Sequence, residues 1–128
     1  MTEDHVKYLT TVYPKIFSGK YGGFAVGDGW FNIINQTCQL IQSHIDWNKD
    51  CPQVVAEQVK EKFGSLRFYY QGGDEYCSGV VALAESMSGV TCEECGDIGW
   101  ARGGGWVHVT CNSCEAEREM KKAAHDAA

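Results

Sequence analysis

Two cysteine pairs, Cys92-Glu93-Glu94-Cys95 and Cys111-Asn112-Ser113-Cys114, constrain this chain more than anything else in it. Fifteen residues separate them, giving C-x2-C-x15-C-x2-C. A C-x-x-C turn brings two sulfurs to one ion at about 2.3 Å, and spacing of this kind marks structural zinc. The segment between the pairs must double back for all four sulfurs to meet. Zn2+ is therefore the expected cofactor, with Cys92, Cys95, Cys111 and Cys114 as its ligands. Four cysteines leave no open coordination position, so the site is expected to be structural. Binding there is worth roughly 10–16 kcal/mol apparent, as much as a whole domain's stability. The competing readings are four unrelated cysteines, a redox pair, or iron in place of zinc. Thioredoxin-like motifs lack a second pair at this distance.

The intervening residues read as a hairpin. Trp100 leads in, Gly103-Gly104-Gly105 permit a turn, and Trp106 to Thr110 lead out. A turn needs one or two of those glycines, which leaves room for a functional role in the third. Asn112 is a candidate helix cap, with Glu115 three residues on as in a capping box. Cys114 would then lie in the first helical turn, where free amides favour a thiolate. A knuckle, a hairpin and a helix carrying the last ligands resemble a treble-clef zinc finger. A plain zinc ribbon is the alternative.

Upstream, Val6, Leu9, Tyr13, Ile16 and Phe17 recur at helical spacing, interrupted by Pro14. A glycine-rich loop runs from Gly19 to Gly29. Asp28 is expected to cap a helix over 29–46, whose apolar stripe is Trp30, Ile34, Cys38, Ile41 and Ile45. Val54 to Phe63 fits helix and strand almost equally, whereas Ser65 to Tyr70 is β-rich. Two strands joined near Phe63-Gly64 are the favoured reading. Asp74 would cap a further helix ending at Gly89, with Cys77, Val80, Val81, Ala84 and Met87 inward. The expected class is a small α+β domain, its helices set around a short antiparallel sheet. Residues 1–89 form the body, and residues 90–128 form a zinc-finger module packed on it as one compact unit.

The chain has 128 residues, a formal charge of −6 and 44% hydrophobic residues. That suits one ordered domain. Four thiolates and one Zn2+ would take the charge to about −8. Such a balance disfavours phosphate backbones and anionic membranes. No apolar run approaches the roughly 18 residues of a membrane span, and the opening residues lack a secretory leader's pattern. Cys38, Cys51 and Cys77 are odd in number, which fits a reducing cytosol. Cys38 and Cys77 read as buried inert thiols, and Cys51, beside Pro52, as more exposed.

Several ordered blocks carry a resemblance. They are Tyr13 to Phe17, Gly27 to Phe31, Val59 to Tyr70 (VKEKFGSLRFYY), Gly72-Gly73-Asp74 and Gly103 to Trp106. Together they resemble small proteins encoded by bacteriophages and prophages, a largely uncharacterised family whose last metal ligand is often histidine where this chain has Cys114. The resemblance implies expression in a bacterial host's cytosol.

No phosphate-loop or nucleophile motif appears, so the expected function is non-enzymatic: an acidic accessory protein that binds a host or phage protein, with inhibition of a host defence or nucleic-acid-processing enzyme as the expected consequence. A nucleic-acid-binding finger is the first alternative, built on Arg67, Arg102, Lys60, Lys62, Trp100, Trp106, Tyr69 and Tyr70. An HNH-like nuclease is the second, because those enzymes use treble clefs and His108 lies in the hairpin. The supporting ligands of such a nuclease are missing, and His108 reads as an ordinary strand residue. The candidate contact residues are Arg67, Arg102 and Trp106.

Overall fold

The computed structural model describes residues 1–127. Ala128, the end of the expected C-terminal module, lies outside the described residues. Helix α1 (Glu3–Val12) begins where the Thr2 hydroxyl accepts from the His5 amide, and it ends before Pro14. Proline disfavours helical geometry in the residue preceding it, and Tyr13 takes φ −120°, ψ 60°. The turn that follows buries Ile16 and Phe17, and the Ile16 carbonyl accepts from Ala56 at 2.8 Å.

The sheet has the order β1-β2-β3, from β1 (Phe24–Ala25), β2 (Val55–Lys62) and β3 (Ser65–Gln71). Strands β2 and β3 form the expected antiparallel hairpin, with Val59 opposite Phe68. Strand β1 adds in parallel, so the sheet is mixed rather than wholly antiparallel. The hairpin loop is Phe63-Gly64, with φ of 55° and 77°. Two positive φ values match the strand twist, which is why two-residue loops favour them. The register shifts between Ala56 and Gln58. One extra residue there lets Ala56 and Val59 both turn inward although they are three apart. That bulge is why the stretch reads as helix and strand alike.

Helix α2 (Phe31–Trp47) follows a short 3-10 turn, Asp28–Trp30. Helix α3 (Glu75–Ser88) starts at Asp74, whose side chain accepts from the Cys77 amide. Leu9, Ile16, Trp30, Ile34, Cys38, Ile41, Val54, Val59, Leu66, Phe68 and Cys77 share one core. Each large apolar side chain buried there contributes about 1.5–3 kcal/mol. Two details of these helices differ from the sequence reading. Asp28 does not cap α2; it accepts from the Thr2 amide at 3.0 Å and stands 2.6 Å from His5 Nδ1. Met87 is exposed, and Ser88 is buried in its place, where its hydroxyl accepts from the Leu66 amide at 2.8 Å.

The last third holds β4 (Trp100–Arg102), β5 (His108–Thr110) and α4 (Asn112–Ala127). Four α-helices and two small sheets among the described residues make an α+β fold. Among the described residues, no helix is long and apolar enough to cross a membrane.

Candidate metal centre

The chain around the first cysteine pair closes tightly on itself. The Gly96 amide donates to the Cys92 carbonyl at 2.9 Å, and the Cys92 amide to Asp97 at 2.6 Å. Gly96 takes φ 88°, a conformation that glycine allows at little cost. The knuckle then joins the hairpin: Glu93 donates to the Val109 carbonyl at 3.0 Å, and Trp100 pairs with Thr110. Arg102 crosses the hairpin to the Thr110 carbonyl and to Asn112 Oδ1 at 2.8 Å. Asn112 lies inside α4, and Glu115 accepts from the Thr110 hydroxyl rather than reaching back as a capping box.

This folding gathers Cys92, Cys95, Cys111 and Cys114, with their sulfurs within 4.8 Å of one another and none in a disulfide. The Cys95 and Cys111 sulfurs are 3.7 Å apart. A tetrahedron with metal–sulfur bonds of about 2.3 Å has edges of about 3.8 Å. The quartet therefore fits one metal ion. Cys92 is fully buried and Cys95 is exposed, so the ion would sit at the edge of the fold.

The electrostatics agree with a cation at the centre. Burial opposes charge on Cys92, but the amides of Cys111, Cys95 and Glu94 outweigh it and bring the thiol down to about 7. The Asp97 amide favours the Cys95 thiolate, yet partial desolvation of the sulfur and its hydrogen bonds with Cys111 and Cys92 push it up to about 11. Cys114 is raised by burial first and then by its three neighbours. Backbone amides thus favour charge on Cys92, while charge on Cys95 and Cys114 is disfavoured. A divalent ion removes that resistance.

The glycines and tryptophan of Gly27-Asp28-Gly29-Trp30 attach this site to the body. Gly27 donates to Glu93 Oε2 at 2.8 Å and Gly29 to the Glu93 carbonyl at 2.7 Å. A Cβ on Gly29 would stand 2.2 Å from the Cys92 carbonyl oxygen. Trp30 is fully buried, and its indole donates to the Thr91 carbonyl at 2.9 Å.

The candidate contact residues lie apart from one another in role. Arg67 pairs with Glu85 at 2.7 Å, and Arg102 is held inside the hairpin. Trp106 is 78% exposed beside the glycine turn. In that turn only Gly103 is constrained, with φ 88°; a Cβ on Gly104 or Gly105 would meet open space. His108 lies in β5, its Nε2 2.8 Å from Glu115. Thr110 first, and then His108, hold the Glu115 carboxyl below its usual range.

Cys51 is buried rather than exposed, and its sulfur lies with ligand atoms of His44, Asp74 and Cys77. No sequence motif announces that gathering. Compared with family models, curated proteins and solved structures, the chain finds no match.

Proposed function

We propose that this protein is a zinc-stabilised binding module that recognises a partner protein without catalysing a reaction. One observation carries the binding reading: an apolar groove of about 180 Å³ between α2 and α3, lined by Ile33, Leu40, Val80, Leu83, Ala84 and Met87. Leu40, Leu83 and Met87 are 44%, 59% and 46% exposed. Large apolar side chains gathered in one solvent-facing groove mark interaction sites in soluble proteins. From Asn32 to Leu40 the α2 wall runs about 12 Å, two helical turns. The fitting occupant is the apolar ridge of a partner's amphipathic helix.

Zinc is the proposed ion because a four-thiolate set favours soft metals and gives zinc a closed tetrahedral shell. The order of knuckle, hairpin and α4, with Cys114 in the helix's first turn, supports a treble-clef description. The net charge of −6, together with the internal pairing of Arg67 and Arg102, argues against phosphate recognition. The block resemblance adds a bacteriophage setting in a bacterial cytosol, and interference with a host enzyme rests on that resemblance together with the acidic charge.

Leu83→Asp tests the groove. Leu83 is exposed, so the variant should keep its melting temperature within a few degrees. A host protein retained by the wild type, and lost at least tenfold in Leu83→Asp, is the expected result. A partner retained equally by both, or a nucleic acid retained instead, contradicts the reading.

A further inference from the structure

The geometry points to a second metal site, distinct from the four-cysteine centre, in which His44, Cys51, Asp74 and Cys77 hold one zinc ion. The four residues come from three separate stretches of chain, yet one ligand atom from each lies within 4.8 Å of all the others. The donor set is two thiolates, an imidazole and a carboxylate, all within zinc's ligand range.

Each ligand is placed by its own local structure. Cys77 lies in the first turn of α3, where free amides and the helix dipole favour a thiolate. Asp74 caps that helix through Oδ1, which leaves Oδ2 facing His44 Nε2 at 2.7 Å. His44 is in the last turn of α2. Its ring stacks on Tyr76 at 4.1 Å, and the Asn48 amide approaches its other nitrogen at 3.2 Å. Stacking on Tyr76 sets the plane of the imidazole, and Asn48 would turn its Oδ1 toward the ring's free N–H once the ion takes the other nitrogen. Cys51 follows the turn in which its amide donates to the Asn48 carbonyl at 2.9 Å.

Two glycines let these stretches converge. Gly72 and Gly73 take φ of 82° and 75°, and Gly73 donates to the Pro52 carbonyl at 3.0 Å. A Cβ on Gly72 would stand 2.1 Å from the Gln53 carbonyl oxygen, and one on Gly73 would crowd Cys77 at 3.0 Å. The sulfur side is dry, with Cys51 and Cys77 buried, while Asp74 is exposed and gives an ion its way in. Asp74 and Cys77 also repeat the three-residue ligand step with which Cys111 and Cys114 open α4. On binding, zinc displaces the protons of the two thiols to solvent, and a neutral His44 that gives one ring nitrogen to the ion keeps its single proton on the other.

This site does not depend on the four-cysteine centre, and zinc counting separates the two. Zn2+ is added to the reduced, metal-free full chain, and bound ions are counted by native mass spectrometry. The wild type should hold two ions, and His44→Gln one. Asp74→Asn preserves the helix cap and should weaken the second ion at least tenfold, with unchanged far-ultraviolet circular dichroism. A wild type that holds one ion and loses it in His44→Gln supports this site and sinks the other. A wild type that holds one ion and keeps it in His44→Gln overturns the proposal. So do two ions retained with wild-type affinity by both variants.

Discussion

The two cysteine clusters differ in how the chain builds them. Around Cys92, Cys95, Cys111 and Cys114 the buried set is small, Val109 and Thr110 beside the cysteines: β4 and β5 are three residues each, and α4 buries none of its described side chains. Around His44, Cys51, Asp74 and Cys77 the elements already pack in the main core, which includes Cys51 and Cys77. An ion in the first cluster replaces a core, whereas one in the second is added to a core. The same donor chemistry should thus have unequal structural consequences.

The largest effect is expected from Cys95→Ser compared with Cys51→Ser. Removing a ligand from the first cluster forfeits much of an apparent binding energy of roughly 10–16 kcal/mol, so the hairpin and α4 should lose their order. Cys51→Ser should leave both hairpins folded and lower the melting temperature by less. Circular dichroism and proton NMR of the two variants check this. Equal losses would erase the contrast.

Gly29→Ala probes the seam between body and metal centre. The added methyl meets backbone on the knuckle side, with the Cys92 carbonyl oxygen and Gly96 nitrogen at 2.2 and 2.6 Å. Neither can swing aside as a side chain would. A loss of about 3 kcal/mol is expected in urea unfolding, together with weaker metal binding by the four cysteines. A variant of wild-type stability would mean that the seam yields easily.

A smaller gain is expected in the body. Phe63 is 73% exposed and takes φ 55°, which suits asparagine better than phenylalanine. Phe63→Asn should stabilise the β2–β3 hairpin by about 1 kcal/mol, measured by urea unfolding. If it destabilises instead, the ring contributes packing that the fold needs.

The smallest effect is a pH dependence near the knuckle. The Thr2 amide, and then His5, hold the Asp28 carboxyl below its ordinary 3.8. Its folded pKa is depressed, so its contribution is present above 3.8 and is lost as pH falls through the folded value. The pair is a third exposed, which keeps the effect below about 1 kcal/mol. The stability difference between wild type and Asp28→Asn should shrink toward zero below that pH.

What the sequence disclosed follows the same contrast. The four-cysteine centre is legible because its ligands come in short-range pairs, and a C-x-x-C turn is a local fact. The β2–β3 hairpin is legible through Phe63-Gly64 and the alternation of Leu66, Phe68 and Tyr70. The bulge at Ala56 and Gln58 is not, because one inserted residue breaks the very period used to read a strand. The roles of Asp28 and Asn112 depart from their capping propensity for a related reason. Each is a good capping residue, but tertiary partners, Thr2 and His5 for one and Arg102 for the other, take its oxygen. The His44, Cys51, Asp74 and Cys77 cluster had no local signal. Only the packing of α2 against α3 brings it together, although the Asp74-x-x-Cys77 step at a helix start was visible.

Hydrogen exchange with and without a chelator most directly tests the claim that a metal stands in for a core in the last third. Removing the metal should abolish protection of the Cys92–Gly96 and His108–Glu115 amides while the β2–β3 hairpin stays protected. Protection unchanged at Cys92–Gly96 and His108–Glu115 in the metal-free chain would contradict it.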